Sequence, residues 1–213
     1  MTELITLVAA DGVGLEAERE VPPAGPATRA GIVLCHPHPQ FGGTMRSVVI
    51  SALFEALPAA GVDCLRFNFR GVEGSEGEYA HGEGERLDAL AAVAEQSRRL
   101  PAGVPLILAG WSFGADVALS CAVDAIAGWL LVACPLRYAH DIHVVTDDDR
   151  PKYVVLAQHD EFRAADEVAR EVEGWRHAQS HVVGGASHFF IGRTDHVVTH
   201  AVAFIDSMTV EPG

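Results

Sequence analysis

In the stretch "LILAGWSFGADVALS", residues 106–120, Ser112 stands alone between Gly110 and Gly114, where an apolar run gives way to helical spacing. A serine hydroxyl is a weak nucleophile. It needs a base to take its proton, and that base needs an acid to orient it. Two downstream residues meet those needs. Asp160 follows the apolar run of "YVVLAQHDEF", and His188 sits in the Gly-rich "HVVGGASHFF". Serine, then aspartate or glutamate, then histidine is the chain order expected for a fold that places its nucleophile at a sharp strand-to-helix turn.

Each of the three has rivals. For the acid, Asp141 follows the preceding strand-like run and Glu161 adjoins Asp160; Asp160 could also cap a helix. For the base, His196 and His200 are four apart on a helix-like stretch, His177 and His181 lie within a strand-like one, and His159 precedes Asp160. None of these has the loop setting of His188. For Ser112 itself, the bland reading is a solvated serine in a Gly-rich turn, which a strand before it and a helix after it disfavour.

Attack on a carbonyl also needs two N–H donors for the developing oxyanion. One is expected from Phe113, directly after the serine. The other is expected from "CHPHPQFGGTM", residues 35–45. Pro37 and Pro39 have no N–H, which leaves His38 first, with Gln40 or Phe41 behind it. Gly42 and Gly43 let the backbone bend, and His36 is expected to brace the loop through its ring. The same His-x-His could be read as a metal site, but two prolines stiffen it and no further ligand set is evident, so no metal and no cofactor is expected. The Gly-rich "RGVEGSEGE" lacks the G-x-x-x-x-G-K-[ST] pattern of a phosphate loop and carries three glutamates, so it is not read as one.

The elements that must position these residues alternate. "LITLVAA" and "GLEAEREV" read as an antiparallel hairpin, the second half polar and edge-like. "AGIVLCHP", "GVDCLRFNF", "VPLILAG", "AGWLLVACP", "PKYVVLAQ" and "WRHAQSHVVGG" read as further strands. Helical spacing runs over 43–58, 84–100, 113 to about 124, 162–173 and 192–208. Apolar strands alternating with helices predict an α/β fold: a mostly parallel sheet of about eight strands, covered on both faces, with ligands at the strands' carboxyl ends. The 213 residues are expected to form a single domain, 1–213.

A net charge of −14 disfavours nucleic acid, anionic membranes and strongly anionic substrates as partners. Cys35, Cys64, Cys121 and Cys134 all sit in apolar runs without close pairing and read as reduced core thiols, which fits a cytoplasmic protein. Residues 1–20 lack the pattern of a signal peptide, and no apolar stretch approaches the roughly 18 residues of a spanning helix.

Taken together, "GWSFGA", "AQHDE" and "GASHFF" on this strand order resemble the α/β-hydrolase superfamily across nearly the whole chain. "HPHPQFGGTM" with "RFNFRGVEGSEG" is similar to its small lidless members near the dienelactone hydrolases. The resemblance implies Ser112 as nucleophile, Asp160 as acid, His188 as base, and backbone donors near His38 and at Phe113. Dienelactone hydrolases proper use a cysteine, so their activity is not carried over. Roughly 17 residues, 136–152, separate the sixth strand from the next, too few for the helical lid of many lipases. The expectation is a serine hydrolase acting on small or short-acyl esters, with Gln40, Phe41 and Trp111 touching the substrate. The other readings are a thioesterase or acyltransferase, a peptidase with the same triad, and a non-catalytic binding protein on the same fold.

Overall fold

The computed structural model describes residues 2–24 and 27–209. Eight strands form one sheet: β1 (Glu3–Val8), β2 (Gly14–Glu20), β3 (Ala30–Cys35), β4 (Val62–Phe67), β5 (Leu106–Trp111), β6 (Gly128–Val132), β7 (Lys152–His159) and β8 (Ala178–Ser187). Their order across the sheet is β1-β2-β4-β3-β5-β6-β7-β8. From β4 to β8 every pairing is parallel; β2 runs antiparallel to both β1 and β4. Every residue of β3, β4, β5 and β6 is buried, as apolar strands covered on both faces should be.

Helices α1 (Val48–Ala56) and α6 (Thr194–Thr209) cover one face, where Ile50, Leu53, Phe54 and Phe204 pack on Ile32, Ile107 and Leu130. The other face carries α2 (Glu83–Arg99), α3 (Phe113–Ala118), the short α4 (His143–Thr146) and α5 (Ala165–Val172), packed around Phe67, Leu108 and Trp129. The four cysteines are buried and unpaired. No helix among the described residues is long and apolar enough to cross a membrane.

Two expectations need correction. The polar second strand is not an edge: β1 is, and β2 lies between β1 and β4. Its charges survive there because each has a partner. Glu18 accepts from Arg66 at 2.8 Å and from Arg46, Arg19 pairs with Asp63, and the Asn68 amide donates to Glu16 at 2.8 Å. Helix α3 stops at Ala118, short of residue 124. After the Leu119 N–H, which still reaches Ala115, the N–H groups of Ser120 and Cys121 tighten onto carbonyls three residues back, and the Trp129 indole N–H donates to the carbonyl of Cys121.

After β3 the chain moves one way to β4, then returns past β3 to β5. The sheet's direction of growth therefore reverses between β3 and β5, and the crevice beyond their carboxyl ends is where such sheets hold ligands. The loop starting at His36 and the turn at Ser112 both open there.

Candidate active site

Ser112 follows β5 directly, with φ 55° and ψ −121°, a conformation that L-residues rarely adopt. Its N–H donates to the carbonyl of Val132 on β6 at 2.8 Å, which ties the turn to the sheet. The flanking glycines are sterically required. A Cβ on Gly110 would lie 2.2 Å from the backbone of Gly114, and one on Gly114 would lie 2.2 Å from the carbonyl oxygen of Cys35.

The structure brings Ser112, His188 and Asp160 together. His188 Nε2 lies 2.9 Å from Ser112 Oγ, and its Nδ1 lies 2.8 Å from Asp160 Oδ2. A carboxylate only accepts, so Nδ1 carries the proton and Nε2 presents a lone pair to the hydroxyl. Both His188 and Asp160 are shielded from water, with side chains 4% and 7% exposed. Asp160 is held in turn: its Oδ1 accepts from the N–H groups of Phe162 (2.9 Å) and Arg163 (3.3 Å). It does not cap α5, whose cap position is Ala164. Glu161, weighed as an alternative acid, instead accepts the backbone N–H of His188 at 3.0 Å. Asp141 is exposed beside α4. Among the other histidines, His200 accepts or donates at Tyr153 (2.9 Å) and His181 stacks on the same ring, away from Ser112.

The loop after β3 has its hydrogen bonds accounted for. Gln40 N–H donates to His38 Nδ1 and Phe41 N–H to the His38 carbonyl, so neither is free. Among the described residues the N–H groups of His38 and Phe113 meet no acceptor. Gly43 has no room for a Cβ, which would fall 2.1 Å from the Pro37 carbonyl oxygen. His36 donates from Nδ1 to that carbonyl at 2.6 Å and accepts at Nε2 from the Phe69 N–H at 3.0 Å. Burial drives its pKa down to about 3, so the ring is neutral. His38 uses its second nitrogen on the Tyr79 hydroxyl at 3.2 Å, and burial lowers its pKa as well. With all four ring nitrogens of His36 and His38 engaged, the pair has no lone pair to offer a metal.

Ser112 and His188 open into a cleft of about 420 Å³. Phe41, Trp111, Tyr138, Phe162 and Phe189 line it, and among the described residues Arg137 is the only arginine or lysine in the lining. Phe41 and Trp111 thus fall where substrate contacts were expected. Gln40 does not: it is exposed and outside the lining, its N–H turned back on His38. Sequence reasoning passed over Asp116, on α3 one turn past Ser112. It is fully buried, and its carboxylate accepts the N–H groups of Leu136, Arg137 and Tyr138. The available signal was one acidic residue inside an otherwise apolar helix start.

Residues 28–210 match the alpha/beta hydrolase domain family. An uncharacterised protein of Rickettsia prowazekii is 31% identical over 173 residues, 76% of this chain and 73% of its own length. A solved alpha-beta serine hydrolase homologue from Coxiella burnetii is 31% identical, with a TM-score of 0.84 covering 95% of this chain and 96% of that one. A serine hydrolase without a lid from Xanthomonas campestris is 26% identical, with a TM-score of 0.86 covering 100% and 96%.

Proposed function

The chain belongs to the alpha/beta hydrolase domain family, and from that membership we propose that it is a serine hydrolase that cleaves small or short-acyl esters through an acyl-enzyme. The observation that carries the reading is the continuous chain from Ser112 Oγ to His188 Nε2, and from His188 Nδ1 to Asp160, at 2.9 and 2.8 Å.

His188 takes the hydroxyl proton as Ser112 Oγ bonds to the acyl carbon, and the carbonyl π electrons move onto oxygen. The N–H groups of His38 and Phe113 receive that oxyanion; both are unengaged, and the positive end of α3 lies behind Phe113. Asp160 keeps the imidazole in the right tautomer and stabilises its cationic form. The tetrahedral species collapses, the alcohol leaves with the proton from His188, and Ser112 is acylated. Water then attacks with His188 again as base, the acid departs and the hydroxyl is restored. A cleft of about 420 Å³ walled by aromatic rings suits an ester with one ring or a short chain.

The test is the intact mass after exposure to a fluorophosphonate, with Ser112→Ala alongside. One adduct on the wild type and none on the variant is the expected result, with kcat on a short ester reduced roughly 10⁴-fold or more in a variant that still folds. No adduct on folded wild type would put the binding-protein reading first.

A further inference from the structure

A carboxylate has no evident business inside α3, whose six residues are all buried. Burial pushes the Asp116 carboxyl up to about 6, with Arg163 the cation that opposes the shift. Its other titratable neighbour, the Cys134 thiol, is raised far above its ordinary value by burial and stays neutral. At pH 8 Asp116 is therefore ionised and solvated only by the protein. What solvates it is three consecutive N–H groups of the segment after β6: Leu136 at 2.9 Å on Oδ1, Arg137 at 2.7 Å and Tyr138 at 2.9 Å on Oδ2. To aim all three at one carboxylate the segment holds Leu136 at φ 55°, a left-handed conformation unusual without glycine.

That same segment is a wall of the cleft, to which Pro135, Arg137 and Tyr138 contribute. It is anchored at few other places. Arg137 Nη2 donates to the Phe162 carbonyl at 2.9 Å, and Arg163 Nη1 donates to the Pro135 carbonyl at 3.1 Å. The Tyr138 ring rests on the rings of His38 and Phe113, with centroids 5.0 and 5.3 Å away. The buried carboxylate one turn beyond Ser112 thus fixes where the wall stands relative to the nucleophile.

We infer that Asp116 is a specificity-determining positioning residue: by holding the N–H groups of 136–138 it sets the cleft wall, and so the preference for acyl groups that reach that wall over those that do not. This rests on the serine-hydrolase reading of Ser112. Asp116 touches no substrate. It acts through Arg137 and Tyr138, and its effect scales with how much of the substrate lies against them.

The experiment compares labelling rates of Ser112 by two fluorophosphonates at pH 8, one bearing a methyl group and one bearing a phenylalkyl chain. Both need the same base and the same donors, so their ratio isolates the wall. In Asp116→Asn one acceptor oxygen becomes an N–H₂ facing N–H groups, and the ratio of bulky to small reagent should fall about tenfold, the scale of a misplaced binding group. Asp116→Ala, whose vacated space has room for a water to accept the same N–H groups, should lower the ratio in the same direction and serves if the asparagine variant does not fold. Hydrogen exchange of the wild type supplies a readout without chemistry: the amides of 136–138 should be protected about a hundredfold or more for a loop held this way. An unchanged or raised ratio in a folded variant overturns the inference, as does free exchange at 136–138 in the wild type. If the wild type takes neither reagent, the hydrolase reading fails and the inference falls with it, an outcome distinct from a labelled wild type with an unmoved ratio.

Discussion

The indole N–H of Trp111 donates to the backbone carbonyl of His188 at 3.1 Å. The residue that precedes Ser112 therefore grips His188, the proposed base, independently of the bond between Ser112 and the imidazole. At the other end of the same residue, Glu161 accepts the His188 N–H. The base is held by its backbone on both sides, from β5 and from the loop that carries Asp160. Trp111→Phe keeps an aromatic ring but removes the donor and leaves part of the indole's volume unfilled. Leaving that buried carbonyl unpaired costs about 1–3 kcal/mol. The expected result is a melting temperature lower by a few degrees and a kcat on a short ester lower by about tenfold, since a slightly displaced base loses alignment. A folded Trp111→Phe with wild-type kcat would show that the indole grip does not align the base.

The strain at Ser112 makes a second prediction with an unusual sign. A non-glycine residue at φ 55°, ψ −121° costs of order 1–3 kcal/mol, and glycine relieves most of it. Against that, glycine gives the unfolded chain more freedom, by under about 1 kcal/mol. Ser112→Gly should therefore abolish hydrolysis while raising stability by about 1 kcal/mol, or a melting temperature higher by about 3 °C in calorimetry. A lower melting temperature would mean that the turn stores no strain.

Buried groups with opposite signs shape the acid response, His36 and Asp116 among them. His36 is held neutral, its pKa near 3 against an ordinary 6.5, so its contribution is complete above 6.5 and is lost as the pH falls toward 3. Burial lowers the pKa values of His38, His181 and His200 too, adding the same sign, and raises that of Asp88, which opposes it. Asp116 runs the other way: raised to about 6 from an ordinary 3.8, it weakens the fold above pH 6 and relieves that cost as the pH falls through 6 toward 3.8. At pH 5 the His36 loss is roughly 2 kcal/mol and the Asp116 gain roughly 1, so the wild type should lose stability between pH 7 and 5. Denaturant unfolding across that range should show a steeper loss in Asp116→Asn and a flatter or inverted slope in His36→Gln. Equal slopes in all three proteins would remove both groups from the balance.

The parts of this site written into consecutive residues were legible from the sequence. Ser112 between two glycines, His188 in its Gly-rich loop and the apolar runs of β3, β5, β6 and β7 each carry a local signature, because a sharp turn needs glycines and a doubly covered strand needs apolar side chains. What depends on partners far along the chain was not. Charges in β2 read as an edge, because the arginines that pair with Glu18 lie on β4 and before α1. Gln40 read as a substrate contact, because the turn that directs its N–H onto His38 is a matter of three-dimensional geometry. Asp116 went unnoticed because its three N–H partners lie 20 to 22 residues away, in a segment without a motif.

Ser112 meets His188 across 76 residues of chain, and its proposed base and acid, His188 and Asp160, arrive on the loops after β8 and β7, the last two strands at one side of the sheet. Parallel pairings of such separation are slow to form. A chain in which the other six strands have assembled, with most of the two apolar clusters in place, would still carry an inert hydroxyl. Under the proposed mechanism, reactivity toward a phosphonate would work as a clock. It would start only when the far edge of the sheet closes, so the gain of labelling during refolding should lag the gain of backbone signal.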